Sequence, residues 1–146
     1  MSENSPSNLD SFKLVISREK LLFLESYSRQ NISQESCAIL LGKRTENEFV
    51  VLDTILMEND EKSYIMFTIN EDKLFSVYKK AESMNLSVVG IYHNHPTHPV
   101  PSITDKKYME TNPVPWIINS TITNESKCYI YYDRQGVQDV DIVFTD

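Results

Sequence analysis

The sequence predicts a single α/β domain of the α+β type, in which helices flank a mixed β-sheet. A length of 146 residues fits one domain and is sufficient to bury a core. The hydrophobic content of 40% and the aromatic content of 10% are typical of a globular chain. Strand-like runs and helical patterns follow one another without regular βαβ alternation, which favours a mixed sheet over a doubly wound parallel one.

The N-terminal half of the predicted domain, which spans 12–146, combines strands with two helices. Ser17 caps the first helix, which runs to about Gln30 and has Glu19 in its first turn, where the helix dipole favours an acid. The predicted apolar side of this helix consists of Leu21, Leu24 and Ser28, with Leu22 and Glu25 at neighbouring positions. Asn70 caps the second helix, whose apolar residues at helical spacing are Leu74, Tyr78 and Ala81. Strands are predicted over 12–16, 35–43, 48–57 and 64–69.

The C-terminal half begins with the apolar stretch 86–91, which predicts a buried strand that continues into a histidine pair. A short helix follows, beginning at Ser102 and ending at about Thr111. Pro113 and Pro115 separate that helix from the strands that complete the domain. These closing strands are predicted over 116–118, 127–133 and 140–144.

A metal site is indicated by the polar residues between these two elements. Side chains alternate across a strand, so His93 and His95 point to the same face. Ser102 and Asp105 are three residues apart at the start of a helix, so they also share a face. Two histidines and a carboxylate, with a fourth position open, form the ligand set of a catalytic zinc site. The pattern predicts one zinc ion per chain.

Structural roles could also account for these residues. Ser-x-x-Asp resembles a capping box, so Ser102 and Asp105 could stabilise a helix, with or without a metal. A lone histidine is more often structural than a ligand, but a pair on one face requires partners for two neighbouring rings. A structural zinc site is a further alternative. Such sites usually have four protein ligands, often with cysteine, and neither Cys37 nor Cys128 lies beside the motif in sequence.

A zinc hydrolase also needs a group that accepts the proton of the attacking water. The candidate is Glu35, which precedes the apolar run 37–42 and could be fixed at the edge of a sheet. A glutamate exposed in a loop is the more common situation. The residues alone therefore leave the role of Glu35 open.

Taken together, the motifs resemble the JAMM/MPN+ zinc metalloprotease family in its compact prokaryotic form. The family pattern is a glutamate before a Leu-rich strand that ends in Gly, then His-x-His-Pro, then Pro-Ser-x-x-Asp. Here Glu35 precedes Leu40–Gly42, and His93–Pro96 and Pro101–Asp105 supply the other two parts. The order and approximate spacing agree from about residue 12 to residue 146.

The resemblance implies a curved, partly barrel-like MPN sheet and a role for each motif residue. His93, His95 and Asp105 would hold zinc. Glu35 would be the general base, and Ser102 would help to stabilise the oxyanion.

The resemblance also implies a reaction, namely hydrolysis of an amide or isopeptide bond after the C-terminal tail of a ubiquitin-like protein. Only ten residues separate Asp105 from Trp116, which leaves little room for the long insertions of some relatives. The expected substrate is therefore a small ubiquitin-like modifier or a sulfur-carrier protein ending in Gly-Gly. Two alternatives stay open: a catalytically silent MPN-type scaffold, which predicts a damaged ligand set, and a zinc hydrolase of a small amide. The residues that bind substrate are unknown, and the resemblance makes a homodimer plausible.

Two features depart from the commoner family pattern. Six residues separate His95 from Ser102, one fewer than is usual, and the two prolines of the loop 97–101 restrict how it can adjust. Asn94 stands between the histidines, where Ser or Thr is more usual. His98, in the same loop, is expected to lie at the rim of the site without binding the metal.

Charge and targeting signals restrict the partners and the compartment. A formal net charge of −7 argues against general nucleic-acid binding, which requires a basic surface. Residues 1–11 are polar and rich in Ser and Asn, so we expect a flexible leader and no signal peptide. No apolar run approaches membrane-spanning length, so no membrane association is expected and the predicted location is the cytoplasm.

Overall fold

A computed structural model describes residues 12–30, 36–57 and 71–146 of the chain. Strands and helices are intermixed along the described sequence, as predicted. The strands are β1 (Lys13–Ile16), β2 (Cys37–Arg44), β3 (Glu48–Met57), β4 (Ser87–His95), β5 (Trp116–Ser120), β6 (Ser126–Tyr132) and β7 (Gly136–Phe144). The helices are α1 (Arg18–Gln30), α2 (Glu71–Ser83) and α3 (Ile103–Thr111). No helix within the described ranges is long and apolar enough to cross a membrane.

The strands form a closed barrel in the order β1-β3-β2-β4-β5-β6-β7. Closure depends on β1, which is parallel to both β3 and β7. The pair β4–β5 is also parallel, whereas the remaining neighbours are antiparallel. The prediction of a mixed sheet flanked by helices is confirmed, and the expected curvature is carried through to closure.

Two apolar clusters occupy the two faces of this sheet. The first takes residues from α1 and from every strand of the barrel, and its fully buried members include Leu14, Leu24, Leu40, Phe49 and Ile117. The second lies where α2 and α3 cover β2, β4, β5 and β6, and its members include Ile39, Val77, Ile91, Met109 and Trp116. We call these two surfaces of the sheet the inner face and the helix-covered face.

A β-bulge in β4 determines which residues reach each face. Leu40 pairs with Gly90 and Leu41 with Val88, so Val89 is an extra residue in the ladder. A side chain at position 90 would crowd its neighbours, because its Cβ would lie 2.9 Å from Leu40 Cδ1 and 3.2 Å from the Pro115 carbonyl oxygen. Beyond the bulge, alternate residues of β4 belong to opposite clusters again.

Predicted elements agree with the structure except in detail. The first helix is confirmed, and Ser17 Oγ accepts a hydrogen bond from the Lys20 amide at 3.2 Å. The predicted apolar side of the second helix is wrong at Tyr78, which is 43% exposed, while Val77 is buried beside Ala81. Spacings of three and four residues both fit a helical period, so the pattern could not choose between these neighbours.

Several sequence predictions fall outside the described residues. These are the leader 1–11, the strand 64–69, the cap Asn70 and the candidate base Glu35. The strand predicted from residue 35 is described from Cys37 onwards. At the other end of the chain, β5 and β7 are longer than predicted, since β5 continues to Ser120 and β7 begins at Gly136.

Candidate metal centre

Three predicted ligands converge at the end of β4. His93 and His95 lie on the helix-covered face of β4, and Asp105 lies in the first turn of α3. All three are buried, and one donor atom from each lies within 4.8 Å of the others. His93 Nε2 is 2.9 Å from Asp105 Oδ1, and His95 Nε2 is 3.8 Å from Asp105 Oδ2. Strand alternation thus supplies two donors, and the helix start supplies the third.

The start of α3 positions the carboxylate of Asp105. Ser102 is the N-cap of this helix, and its Oγ accepts a hydrogen bond from the Asp105 amide at 3.0 Å. In return, the Ser102 amide donates to Asp105 Oδ2 at 2.9 Å, which completes a capping box. Oδ1 meanwhile faces His93. The cap and ligand interpretations of Asp105 are therefore compatible, because the two oxygens have different partners.

The ring of His95 is held at both nitrogens. Thr97 Oγ1 lies 2.8 Å from Nδ1, and the Val100 carbonyl oxygen lies 3.1 Å from Nε2. A carbonyl can only accept, so in this arrangement Nε2 donates and Nδ1 accepts from the threonine hydroxyl. That hydroxyl can equally accept from Nδ1, which suits the tautomer that leaves Nε2 free to bind a metal.

Burial and neighbouring groups shift the pKa values of His95 and Asp105 in the directions that favour metal binding. Burial and the nearby His93 lower the pKa of His95, although the Asp105 carboxylate opposes this shift. Burial acts to raise the pKa of Asp105, but the hydrogen bond and charge of His93, with hydrogen bonds from Ser102, bring the net pKa below its ordinary value. At neutral pH these shifts favour a neutral His95 and an ionised Asp105, the forms that ligate a metal.

Aromatic residues fix the surroundings of the group. The ring centroid of Trp116 lies 6.4 Å from that of His93 at an interplanar angle of 89°, and the Trp116 indole donates to the Asn112 carbonyl. The hydroxyl of Tyr129 donates to the Pro99 carbonyl at 2.8 Å, which anchors the loop between His95 and Ser102. The short spacer in this loop is thus held by a contact from β6. Sequence reasoning missed both aromatic residues, because only the pairing of β4 with β5 and of β5 with β6 brings them here.

The remaining candidate residues take different positions. Ser102 is exposed, and since its Oγ accepts from a backbone amide, its hydroxyl proton can be offered to a substrate. His98 is exposed in the loop and is not part of the group. Glu35 lies outside the described residues, and Ser36, which follows it, is buried and hydrogen-bonded to Asn94.

The donor set fits zinc. Imidazole nitrogens and a carboxylate oxygen are ordinary zinc ligands, and three protein ligands leave room for a fourth that is exchangeable. Cys37 is the cross-strand partner of His93, yet its sulfur is not part of the group. Within the described part of the chain, the group therefore has the composition of a catalytic rather than a structural site.

Comparisons with known proteins agree with this geometry. The chain matches the family described as prokaryotic homologs of the JAB domain over residues 26–130. The chain belongs to this family. It is also 31% identical over 145 residues to the desampylase of Pyrococcus furiosus, a match that covers 98% of this chain and 99% of the relative. The resemblance to JAMM/MPN+ proteins is thereby confirmed.

Solved structures share the same JAB fold. The solution structure of a protein from Desulfitobacterium hafniense has a TM-score of 0.78 at 20% identity, covering 91% of this chain and 93% of that one. The solution structure of a protein from Salinibacter ruber has a TM-score of 0.62 at 23% identity, covering 90% and 91%. At these identities the similarity concerns the fold alone. The family match spans His93, His95 and Asp105, so the candidate metal centre lies within the JAB domain.

Proposed function

We propose that this protein is a zinc-dependent isopeptidase or peptidase that cuts the amide or isopeptide bond after the C-terminal tail of a ubiquitin-like modifier or sulfur-carrier protein. The observation that carries the proposal is the buried group of His93, His95 and Asp105, whose donor atoms lie within 4.8 Å of one another beside the exposed Ser102. Membership of the JAB family and the ligand chemistry support the same metal.

Each residue has a distinct task in this mechanism. His93, His95 and Asp105 would hold a zinc ion, which would supply acidification of a water molecule and polarisation of the scissile carbonyl. Glu35 accepts the proton of the attacking water and then passes it to the departing amine. Ser102 donates a hydrogen bond from its hydroxyl to the oxyanion, a contact that contributes about 3 kcal/mol in comparable sites.

The substrate class rests on the similarity to a desampylase, which extends over nearly the whole of both chains. That name describes an enzyme that removes a conjugated group, and a conjugated protein modifier is attached through an amide bond. A tail ending in Gly-Gly is narrow and flexible enough to lie extended toward a buried metal centre. Binding of the tail along a strand edge and homodimer formation stay predictions.

The two alternatives differ in how well they fit the site. A silent scaffold predicts a damaged ligand set, whereas His93, His95 and Asp105 are all present and converge. A hydrolase of small amides would use the same centre, so the site does not argue against it. The size of the substrate that is cleaved distinguishes it from an isopeptidase.

The test compares wild-type protein with Glu35→Gln after both are loaded with zinc and desalted. Substrates are a ubiquitin-like protein with a Gly-Gly tail joined to a lysine of a reporter, and a short Gly-Gly amide. Wild type should hold about one zinc per chain and cut the protein conjugate much faster than the short amide. Glu35→Gln should retain zinc and lose turnover, because it keeps the shape of the side chain but cannot accept the proton.

Other outcomes would redirect the assignment. Cleavage of the short amide without cleavage of the conjugate would favour a small-amide hydrolase. Zinc-free protein with no activity would favour the silent scaffold. Full activity in Glu35→Gln would remove Glu35 from the role of base.

A further inference from the structure

Asn94, the residue between the two histidines, connects β4 to the segment that follows the proposed base. Its side-chain Oδ1 accepts a hydrogen bond from the backbone N–H of Ser36, and the backbone N–H of Asn94 donates to the Ser36 carbonyl at 3.3 Å. One residue thus holds both backbone groups of the other. Asn94 is 1% exposed and Ser36 is 6% exposed, so water does not compete for these bonds.

The side chain of Asn94 takes over where the regular ladder between β2 and β4 ends. The last pair of that ladder is Cys37 with His93. In a regular antiparallel ladder the next exchange would use two backbone carbonyls, but here a side-chain oxygen accepts from Ser36. Asn94 therefore holds Ser36, which precedes β2 and follows Glu35 in the sequence.

Covalent geometry carries this constraint one residue further. Consecutive Cα atoms are about 3.8 Å apart, so fixing the backbone of Ser36 restricts where Glu35 can lie. The same strand carries His93 and His95, so a single rigid element holds the metal ligands and this anchor. By strand alternation the side chain of Asn94 points to the inner face. It can therefore hold Ser36 without contacting the metal-binding group.

We propose that Asn94 is a positioning residue, which holds the Ser36 backbone and thereby constrains the chain that carries the proposed base Glu35. The inference rests on the proposed role of Glu35 as general base. It also accounts for an asparagine at this position, because Oδ1 stands one bond further from the backbone than the Ser or Thr hydroxyl more usual in the resembling family.

The experiment compares Asn94→Leu with Asn94→Asp. Leucine keeps the branched shape of the side chain but removes the acceptor, whereas aspartate keeps an oxygen at the Oδ1 position. Asn94→Leu should retain the zinc content of wild type, show faster hydrogen exchange at the Ser36 amide, and lose about 10- to 100-fold in kcat with little change in KM. Asn94→Asp should restore protection of that amide and most of kcat. If Asn94→Leu does not fold, Asn94→Ala removes the same acceptor with a smaller change.

Asn119→Leu is the matched control. Asn119 is the partner of Asn94 in the adjacent strand β5 and is also fully buried, but its side chain donates to Ser126. The control should lose stability as Asn94→Leu does, because a buried side-chain hydrogen bond is removed. It should leave Ser36 exchange and kcat close to wild type.

Three results would overturn the inference: an unchanged Ser36 exchange rate in Asn94→Leu, a kcat no lower than that of the control, or loss of zinc from Asn94→Leu. The third would mean that Asn94 acts through the histidines. Absence of turnover in wild type would instead overturn the proposed function, and Ser36 exchange would still decide whether Asn94 holds this segment.

Discussion

The two faces of β4 carry buried polar residues that have different roles. On the helix-covered face, His93 and His95 meet Asp105 within 4.8 Å. On the inner face, the Tyr92 hydroxyl lies 2.7 Å from Ser28 Oγ and donates to the Leu24 carbonyl, and Asn94 holds Ser36. Both sets are buried, yet only the first collects three groups that can hold a cation.

The two sets differ in whether their groups can exchange a hydrogen-bond partner for a metal ion. Tyr92 and its serine satisfy each other, so this contact ties α1 to the barrel and offers nothing to a ligand. The donors of the metal centre face a common point, and their mutual contacts can be exchanged for a metal ion. Side-chain alternation along this one strand thus places the metal-binding histidines on one face and the residues that hold neighbouring segments on the other. Variants on opposite faces should therefore have separable effects.

The largest expected effect is loss of metal from His95→Ala. Removing one of three protein ligands should reduce zinc affinity by more than the roughly 10- to 100-fold typical of outer-shell changes. Zinc content after desalting, measured by atomic emission, should fall from about one per chain to near zero. Replacement of the exposed His98 by alanine is the control and should retain zinc. Full zinc content in His95→Ala would contradict the ligand assignment.

The positions of His93, His95 and Asp105 could be predicted because each depends on local geometry. Strand alternation aligns the histidines, and a capping box fixes the carboxylate at the helix start. Trp116 and Tyr129 could not be predicted as neighbours, since their approach depends on strand pairing between segments distant in sequence.

The same limit applies to the fold. Strand and helix positions follow from apolar patterns, and so does a mixed sheet. Closure of the barrel does not, because it requires the short β1 to pair with both β3 and β7. The bulge at Val89 likewise arises from packing of Gly90 against Leu40 and Pro115, which no spacing in the sequence indicates.

An intermediate effect is expected from Thr97→Val, which sharpens the comparison within the helix-covered face. Thr97 does not belong to the metal-binding group but holds Nδ1 of His95. Valine preserves the shape and removes the hydroxyl, so zinc affinity should fall about 10- to 100-fold while the fold is retained. Competition with a fluorescent chelator would measure the change. An unchanged affinity would mean that the surrounding packing suffices to orient the ring.

Tyr92→Phe tests the inner face and should affect stability without affecting the metal. The change removes the hydroxyl that pairs with Ser28, which leaves a buried serine oxygen without this partner. The free energy of unfolding should fall by about 1–3 kcal/mol, measured by urea denaturation, while zinc content is unchanged. Tyr78→Phe, at an exposed position, is the control for loss of a hydroxyl. A loss of zinc from Tyr92→Phe would contradict the separation of the two faces.

The smallest effects are expected on the pH dependence of stability in metal-free protein. Changes of a few degrees in Tm should come from His95 and Asp105 at acid pH and from Tyr92 at alkaline pH. His95 and Asp105 have lowered pKa values in the folded state, so the unfolded state binds more protons in acid. Stability should therefore fall as pH drops below about 6.5 for His95 and below about 3.9 for Asp105. Burial raises the pKa of Tyr92, so the unfolded chain loses this proton first, and stability should fall as pH rises above about 10.

Two variants measure how much His95 and Tyr92 each contribute to its limb of the pH profile. Tyr129 and Cys128, whose pKa values burial also raises, contribute to the alkaline limb as well. His95→Gln should flatten the decline in Tm that begins near pH 6.5 and leave the alkaline limb unchanged. Tyr92→Phe should do the reverse, because phenylalanine has no proton to lose. Calorimetry of chelator-treated protein across the pH range would measure both. If one variant altered both limbs equally, the two faces of β4 would be coupled through the strand, and the independence argued from its alternation would be wrong.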